Sequence, residues 1–383
     1  NNNLIKMKEI NFNEPLKIKA SIDNVKKFLS SDHTLHGPGS NILKIKHLVF
    51  KNFGFRNVFL TNSCTSALEI SSLAINLKAG DEVIVPSFSF ITSASSFART
   101  GCKLKFCDIE KRTLMPSLKD ILVCVTKKTK AIVIIHYQGY SVDYLDKLQK
   151  ICKKKKIILI EDAAQAFGSF FKKKPLGSFG DFSCFSFHET KNLHSGAGGM
   201  LIVNNKKYLK KVKIIHDKGT NRFLMNLKKI KYYSWIEIGS AFLMTEFAAS
   251  YLCPQIQSYK KIFYKRSKLY FRYLKHLLKI KDGNFYIPNN YKFYYNFHAL
   301  VLILEKNNRE KFLGFLKKYK INAVISYTPL HKSVAGKKHF KNQKKLVNTD
   351  KYVKQIVRLP LHDSLTFKQV DYICKKIKQF FLN

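Results

Sequence analysis

Ser183-Cys-Phe-Ser-Phe-His-Glu-Thr-Lys191-Asn192 is the stretch on which the fold turns. It is apolar and small through Phe187, then polar, and its lysine stands just before the Gly-rich turn Gly196-Ala-Gly-Gly199. Lysine alone means little in a chain with 69 Lys and Arg residues. This one follows a predicted strand and has Ser186 upstream. Earlier in the chain, Glu161-Asp162-Ala-Ala-Gln165 follows the apolar run Ile157-Ile-Leu-Ile160 directly. Open α/β sheets place ligands at the carboxyl ends of their strands. A lysine at one such end and a carboxylate at another suit a ring held between them. The ε-amine of Lys191 can form a Schiff base with pyridoxal phosphate. A carboxylate against the pyridine nitrogen keeps that ring protonated and electron-accepting. By itself Asp162 reads equally well as a helix N-terminal acid favoured by the helix dipole.

Working outward, short apolar runs alternate with helical patterns. Strands are predicted at Val58–Leu60, Val83–Val85, Leu104–Phe106, Ala131–Ile135, Ile157–Ile160, Cys184–Phe187 and Met200–Val203. Several are too uniformly apolar for a sheet with one wet face, so they predict strands buried on both sides. Helices are predicted at Thr65–Leu77, Tyr144–Lys153 and Lys206–Ile215. The alternation predicts an α/β fold with a mainly parallel sheet flanked by helices. The register changes near Pro254. Beyond it come a basic helix (Ser258–Leu278), strands near Asn296–Leu304 and Ala323–Tyr327, and a terminal helix (Thr366–Phe381). The expected division is a large domain, 7–253, and a smaller C-terminal α+β domain, 254–383. Asn289-Asn290 and Lys337–Lys345 read as loops.

The remaining candidates lie at strand ends. Asn62-Ser-Cys-Thr65-Ser66 enters a helix, and a helix N-terminus lined by hydroxyls can cradle phosphate. Ordinary capping by Ser63 explains the same residues. Ser186 would add a second phosphate contact. Phe90, in Pro86-Ser-Phe-Ser-Phe90, could stack on a flat cofactor or belong to the core. Gln165 could bond the ring hydroxyl. His136 opens on the same edge, with a packing role as an alternative. His188 and His194 read as turn residues, and no metal site is expected. In Tyr327-Thr-Pro-Leu-His331 the histidine sits in a strand-to-loop turn, where a surface role is the alternative.

Composition bounds the rest. The chain has 383 residues, is 45% hydrophobic and carries a formal net charge of +44. The lysine, asparagine, isoleucine and phenylalanine bias together is what AT-rich coding produces, and it leaves a basic surface that attracts anions. No zinc finger, RNP motif or helix-turn-helix supports nucleic-acid binding. No apolar run approaches the roughly 20 residues of a membrane span. Asn1–Glu14 carries no signal-peptide h-region, and Met7 is a candidate start. Eight cysteines without a CxxC pair read as reduced thiols of a cytoplasmic protein.

Taken together, these motifs resemble the DegT/DnrJ/EryC1/StrS family of sugar-nucleotide aminotransferases, which have the fold-type I architecture of pyridoxal phosphate enzymes. The resemblance runs from Phe12-Asn-Glu-Pro15 to the terminal helix. It is carried by Asn62–Ala67, Gly80–Phe88, Glu161–Gln165, Phe185–His188 with Lys191-Asn192, and Tyr327–His331. It implies Lys191 as the Schiff-base lysine and Asp162 at the pyridine nitrogen. Gln165 would lie near the ring hydroxyl, Phe90 on the ring, and Thr65, Ser66 and Ser186 at the phosphate. Tyr327 and His331 would face the sugar substrate. The substrates would be a nucleotide sugar and an amino-acid donor, in a homodimer with active sites between subunits. Phe187–Asn192, Lys218–Arg222 and Tyr233–Ser240 are most like the branch that forms dTDP-4-amino-4,6-dideoxy-D-galactose for cell-surface polysaccharide. Another keto-sugar, or a non-catalytic homologue, would share the same motifs. The chain departs from the family pattern twice. Ala197 stands where a glutamate is common, and Leu243 where many relatives give the partner an asparagine.

Overall fold

The computed structural model describes residues 8–31, 38–280, 284–288, 295–305, 308–339 and 343–382. The candidate start Met7 and the expected loop at Asn289-Asn290 lie outside them.

Seven strands form the main sheet: β1 (Val58–Thr61), β2 (Glu82–Pro86), β3 (Lys103–Cys107), β4 (Thr129–Ile135), β5 (Ile158–Asp162), β8 (Phe182–Ser186) and β9 (Gly199–Val203). A two-residue ribbon, β6 (Phe170–Phe171) with β7 (Lys174–Pro175), lies between β5 and β8 in the chain. The sheet order is β1-β9-β8-β5-β4-β2-β3. Only β9 runs against its neighbours, pairing antiparallel with β1 and β8. Each predicted strand of this sheet is present, within a few residues at its ends. β2, β8 and β9 are buried along their whole length. Such strands are covered on both faces, which is why they read as unbroken apolar runs.

Helices Cys64–Ala74, Thr92–Ala98 and Leu209–His216 contribute to the core on one side of this sheet, where Leu68, Phe97 and Val212 pack with Val83 and Val133. On the other side, Ile84, Ile132 and Leu159 join a core that includes helix Ser40–Phe53 and the long helices near residue 254. Helix Ser40–Phe53 ends on Gly54 at φ 73°, a left-handed position that glycine takes without a Cβ penalty.

The chain leaves the main sheet through helices Glu246–Gln257 and Tyr259–Leu277, and the expected boundary at 253/254 falls inside the first. A three-stranded antiparallel sheet follows: β10 (Phe285–Tyr286), β11 (Leu300–Leu304) and β12 (Ile356–Leu359), in that order. Helix Phe367–Leu382 closes the chain and packs on Tyr259–Leu277. Two expectations are corrected here. Ala323–Tyr327 forms no strand; it runs beside β12 through a single bridge, Val324 to Arg358. Its apolar run is only three residues, Ala323-Val-Ile325, before Ser326 interrupts it. Lys337–Lys345 is not all loop, because helix Val334–His339 takes its first residues.

Candidate active site

A cavity of about 370 Å³ opens at the carboxyl ends of β4, β5 and β8, where Ile135, Asp162 and Ser186 line it. Its opposite wall comes from the smaller sheet and its approaches: His298, Tyr327, Arg358 and Leu361. Phe12 and Asn13, from the N-terminal segment, complete it.

Lys191 lines this cavity from the loop between β8 and β9. Its backbone N–H donates to His188 O at 2.8 Å, closing a tight turn. The next residue anchors that turn. Asn192 Nδ2 donates to Asn296 O at 2.7 Å, and His298 Nδ1 meets Asn192 Oδ1 at 3.0 Å. The amide orientation makes Oδ1 an acceptor, so His298 donates from Nδ1 and its Nε2 carries the lone pair. Burial pushes the His298 imidazole well below its ordinary pKa, and Lys191, Arg358 and Arg266 push the same way. His298 is therefore a neutral ring on the cavity wall. Loss of water lowers the Lys191 ammonium to about 8, with the positive charge of Arg358 adding to the effect.

Asp162, the last residue of β5, is buried and faces the same cavity. Ser93 Oγ donates to its Oδ2 at 2.5 Å and Ala164 N to its Oδ1 at 3.2 Å. Burial pushes this carboxyl above its usual range, and those hydrogen bonds and the Lys191 charge only partly compensate. A buried acid held by two hydrogen bonds and facing open space suits a cationic ring nitrogen. That is the observation by which the site fits pyridoxal phosphate.

Gln165 is held at both ends of its amide. Its Oε1 accepts from Gln138 N at 2.7 Å, and its Nε2 donates to Tyr327 Oη at 2.6 Å. Phe90 lines the cavity with its ring half in water, 54% exposed and 6.1 Å from the Tyr327 ring. The helix Cys64–Ala74 brings its first turn to the cavity, where Ser63, Cys64 and Thr65 all line it. Ser63 caps that helix by accepting from Ser66 N at 3.0 Å, so capping and cavity lining coexist. Ser66 itself is not on the cavity surface. Its hydroxyl is engaged within the turn, with Asn62 Oδ1 and Ser63 Oγ. His331 also lies off the cavity lining, bonded through Nδ1 to Ser87 Oγ at 2.7 Å and facing Asp350 with Nε2 at 3.3 Å.

The two departures from the family pattern are accommodated locally. The turn at Ala197 is closed by Phe187 N to Gly198 O at 2.8 Å and Glu189 N to Gly196 O at 2.8 Å. Leu243 pairs with Thr61 at the edge of β1. His194 is structural, bonding Leu16 O through Nε2 at 2.9 Å. Among the described residues no cluster of three or more His, Cys, Asp or Glu could hold a metal, and no helix is long and apolar enough to cross a membrane.

Ser93, His298, Arg358 and Phe12 are among the lining residues that the sequence does not single out as site residues. Arg358 sits on β12, a strand the sequence reading did not recognise. His298 was visible only as one histidine before an apolar run. Nothing in the sequence around Ser93 distinguishes it from the other serines of Ser87–Ser96.

The sequence model of the DegT/DnrJ/EryC1/StrS aminotransferase family matches residues 15–378. An uncharacterized protein of Methanocaldococcus jannaschii, MJ1066, is 30% identical over 368 residues, covering 94% of each chain. GDP-perosamine synthase of Escherichia coli O157:H7 is 30% identical over 319 residues, 83% of this chain and 84% of that one. Among solved structures, the pyridoxal phosphate form of the putative sugar aminotransferase Spr1654 from Streptococcus pneumoniae superposes with a TM-score of 0.88 at 24% identity, covering 97% and 98% of the two chains. Helicobacter pylori PseC, an aminotransferase of pseudoaminic acid biosynthesis, superposes at 0.89 with 23% identity, covering 98% and 100%. At these identities the two structures speak for the fold.

Proposed function

The chain belongs to the DegT/DnrJ/EryC1/StrS aminotransferase family, and from that premise we propose that it aminates C4 of a dTDP-linked sugar. The reaction would convert dTDP-4-dehydro-6-deoxy-D-glucose to dTDP-4-amino-4,6-dideoxy-D-galactose, with L-glutamate as donor, for cell-surface polysaccharide. The enzyme class is a pyridoxal phosphate-dependent sugar aminotransferase. The observation that carries the reading is a single cavity lined by Lys191, Asp162 and Gln165.

Bound there, pyridoxal phosphate supplies the electron sink that lets an amino group leave one carbon and join another. Lys191 would hold the cofactor through Nζ. As a free amine, it would then take the proton from the donor's Cα and later return one to the sugar carbon. Asp162 would keep a proton on the ring nitrogen. Gln165, fixed by Gln138 and Tyr327, would present its amide at the ring hydroxyl. Thr65, Ser186 and the first turn of helix Cys64–Ala74 would hold the phosphate, with Ser66 supporting that turn from behind. Phe90 would cover the ring and exclude water. Tyr327 would border the sugar, with His331 placing the loop that carries it. The 7–253 and 254–383 division belongs to this reading, because the cavity takes one wall from each part.

The same reading includes a cytoplasmic homodimer with the sites between subunits. Trp235 is 78% exposed and Ile238 66% exposed on the loop between helix Arg222–Asn226 and β1's edge partner Leu243. Apolar side chains so placed suit burial against a second copy.

The test has two parts. Purified protein given pyridoxal phosphate is expected to gain a visible absorbance band that Lys191→Ala lacks; an unchanged band in the variant removes the lysine assignment. The dTDP-linked 4-keto sugar is expected to turn over faster than 3-keto or GDP-linked substrates. Faster turnover of a GDP-linked 4-keto sugar would move the substrate to the GDP class, a second reading motivated by the 30% identity to GDP-perosamine synthase.

A further inference from the structure

We propose that Arg358 is the docking point for a carboxylate of the amino-acid donor, and so a residue that sets which donor is used. The inference rests on the aminotransferase reading above.

Arg358 is fixed by its backbone. Its N–H donates to Val324 O at 2.8 Å, and its carbonyl accepts from Val324 N at 3.0 Å. On its other edge it pairs with Val301 of β11. The main chain is thus satisfied, and only the guanidinium is uncommitted. It lines the cavity, and its Nε is buried with no hydrogen-bond partner. The side chain rests over the Phe12 ring, 4.9 Å from its centroid. That contact offsets some charge but supplies no acceptor oxygen.

The contrast with Arg266 is instructive. Arg266 is also buried, but it meets Asp363 at 3.0 Å and the carbonyls of Phe297, His298 and Leu361. Among the described residues, no carboxylate forms an ion pair with Arg358. A half-buried guanidinium without an acceptor, facing a ligand cavity, is a site for a planar anion that can take two N–H groups at once.

Two anions could enter this cavity, a carboxylate of the donor and the diphosphate of the nucleotide. Position favours the first. Arg358 lines the same cavity as Lys191, and its charge lowers the pKa of that amine. In an α-amino acid, the carboxylate is attached to the carbon whose proton Lys191 removes. In the nucleotide sugar, a pyranose ring separates the diphosphate from the ketone at C4. An anion held in the wall of the cavity that Lys191 lines therefore suits the amino acid.

The experiment measures binding rather than turnover. Glutarate, a dicarboxylate without an amine, and pyrophosphate are titrated by calorimetry into cofactor-loaded wild type, Arg358→Gln and Arg358→Lys. Glutarate affinity is expected to fall about 10- to 100-fold in Arg358→Gln and less in Arg358→Lys, with pyrophosphate changed less than about 2-fold. Loss of pyrophosphate affinity with glutarate unchanged would assign Arg358 to the nucleotide and overturn the proposal. No change in either would overturn it too. A measurement on unmutated protein guards against a variant that misfolds. Phenylglyoxal modification of Arg358 should be slowed by glutarate and not by pyrophosphate, and the reverse order overturns the proposal. Arg358-dependent glutarate binding in a protein that turns over no keto-sugar would sink the sugar substrate and leave this assignment standing.

Discussion

The amine of Lys191 should titrate near pH 8, and that shift sets how fast the protein captures its cofactor. A lysine in water holds its proton to about pH 10.4. Here loss of hydration acts first and the Arg358 charge second, while Cys64 and Asp162 pull the other way, leaving a value of about 8. At pH 7.5 roughly one quarter of Lys191 is then free amine, against about one part in a thousand for an ordinary lysine. The gain in attacking species is about 200-fold. Part of it is returned, because a less basic amine is a weaker nucleophile. The assay is stopped-flow absorbance of pyridoxal phosphate uptake by cofactor-free protein between pH 6.5 and 10. Unphosphorylated pyridoxal, run in parallel, separates the lysine from the phosphate's own titration. The rate should rise about tenfold per pH unit at the acid end and level off above pH 8. Arg358→Gln removes a neighbouring positive charge, so its plateau should begin at higher pH. A rate that keeps climbing to pH 10 in wild type would refute the reasoning, since it would mean the amine stays hydrated and the cavity wall does not enclose it.

Two further outcomes test the framework beneath the site. Glu161→Gln should destabilise the protein by about 3 kcal/mol or more, read from a urea unfolding midpoint. The buried carboxylate accepts from Gly177 N–H at one oxygen and from Phe179 and Gly180 N–H at the other, at 2.6–2.8 Å; an amide keeps one acceptor oxygen and turns an NH2 donor toward the N–H groups at the other position. Gly199→Ala should cost about 1–3 kcal/mol and also weaken cofactor binding in an equilibrium titration. Its Cβ would stand 2.3 Å from the Ser63 carbonyl carbon and 2.5 Å from Cys64 N, displacing the helix turn proposed to hold phosphate. Unchanged cofactor affinity in that variant would argue against the phosphate assignment.

The main sheet was legible because burial on both faces writes itself into sequence as continuous apolar runs. The strands around Val83, Ala131 and Met200 could be read for that reason. The smaller sheet was harder. β12 is four residues, Ile-Val-Arg-Leu, with a charged side chain in its middle, so it gives no run and little alternation. Ala323–Tyr327 gave a better apolar signal and pairs only at Val324. Local propensity could not separate them, because pairing with β11 decides which becomes a strand. The same limit governs the site. Lys191, Asp162 and Gln165 follow strands of the legible sheet, so their convergence could be inferred. Arg358 and His298 come from the smaller sheet, and their approach depends on how that sheet packs against the first. His331 and Ser66 carry the right chemistry in the right motifs, but their polar atoms are taken up by Ser87 and Asn62.

The adjacent acids Glu161 and Asp162 show how one strand end serves both framework and chemistry. Successive side chains of a strand point to opposite faces. Asp162 therefore faces the cavity, with two hydrogen bonds and a carboxyl raised by burial. Glu161 points the other way, into five donors: three backbone N–H groups, Ser183 Oγ and His136 Nε2. Burial by itself would raise its pKa too, but the His136 bond and charge and the Gly180 and Gly177 N–H groups bring it below the usual value. Equal burial thus leads to opposite results, because the donors are distributed unequally. The consequence reaches the cavity, since His136 lines it while being held by Glu161. Fixing Nε2 on the acid leaves Nδ1 buried and without a partner. The framework acid therefore decides which imidazole nitrogen is available, while the hydrogen bonds to Asp162 come from the neutral donors Ser93 and Ala164.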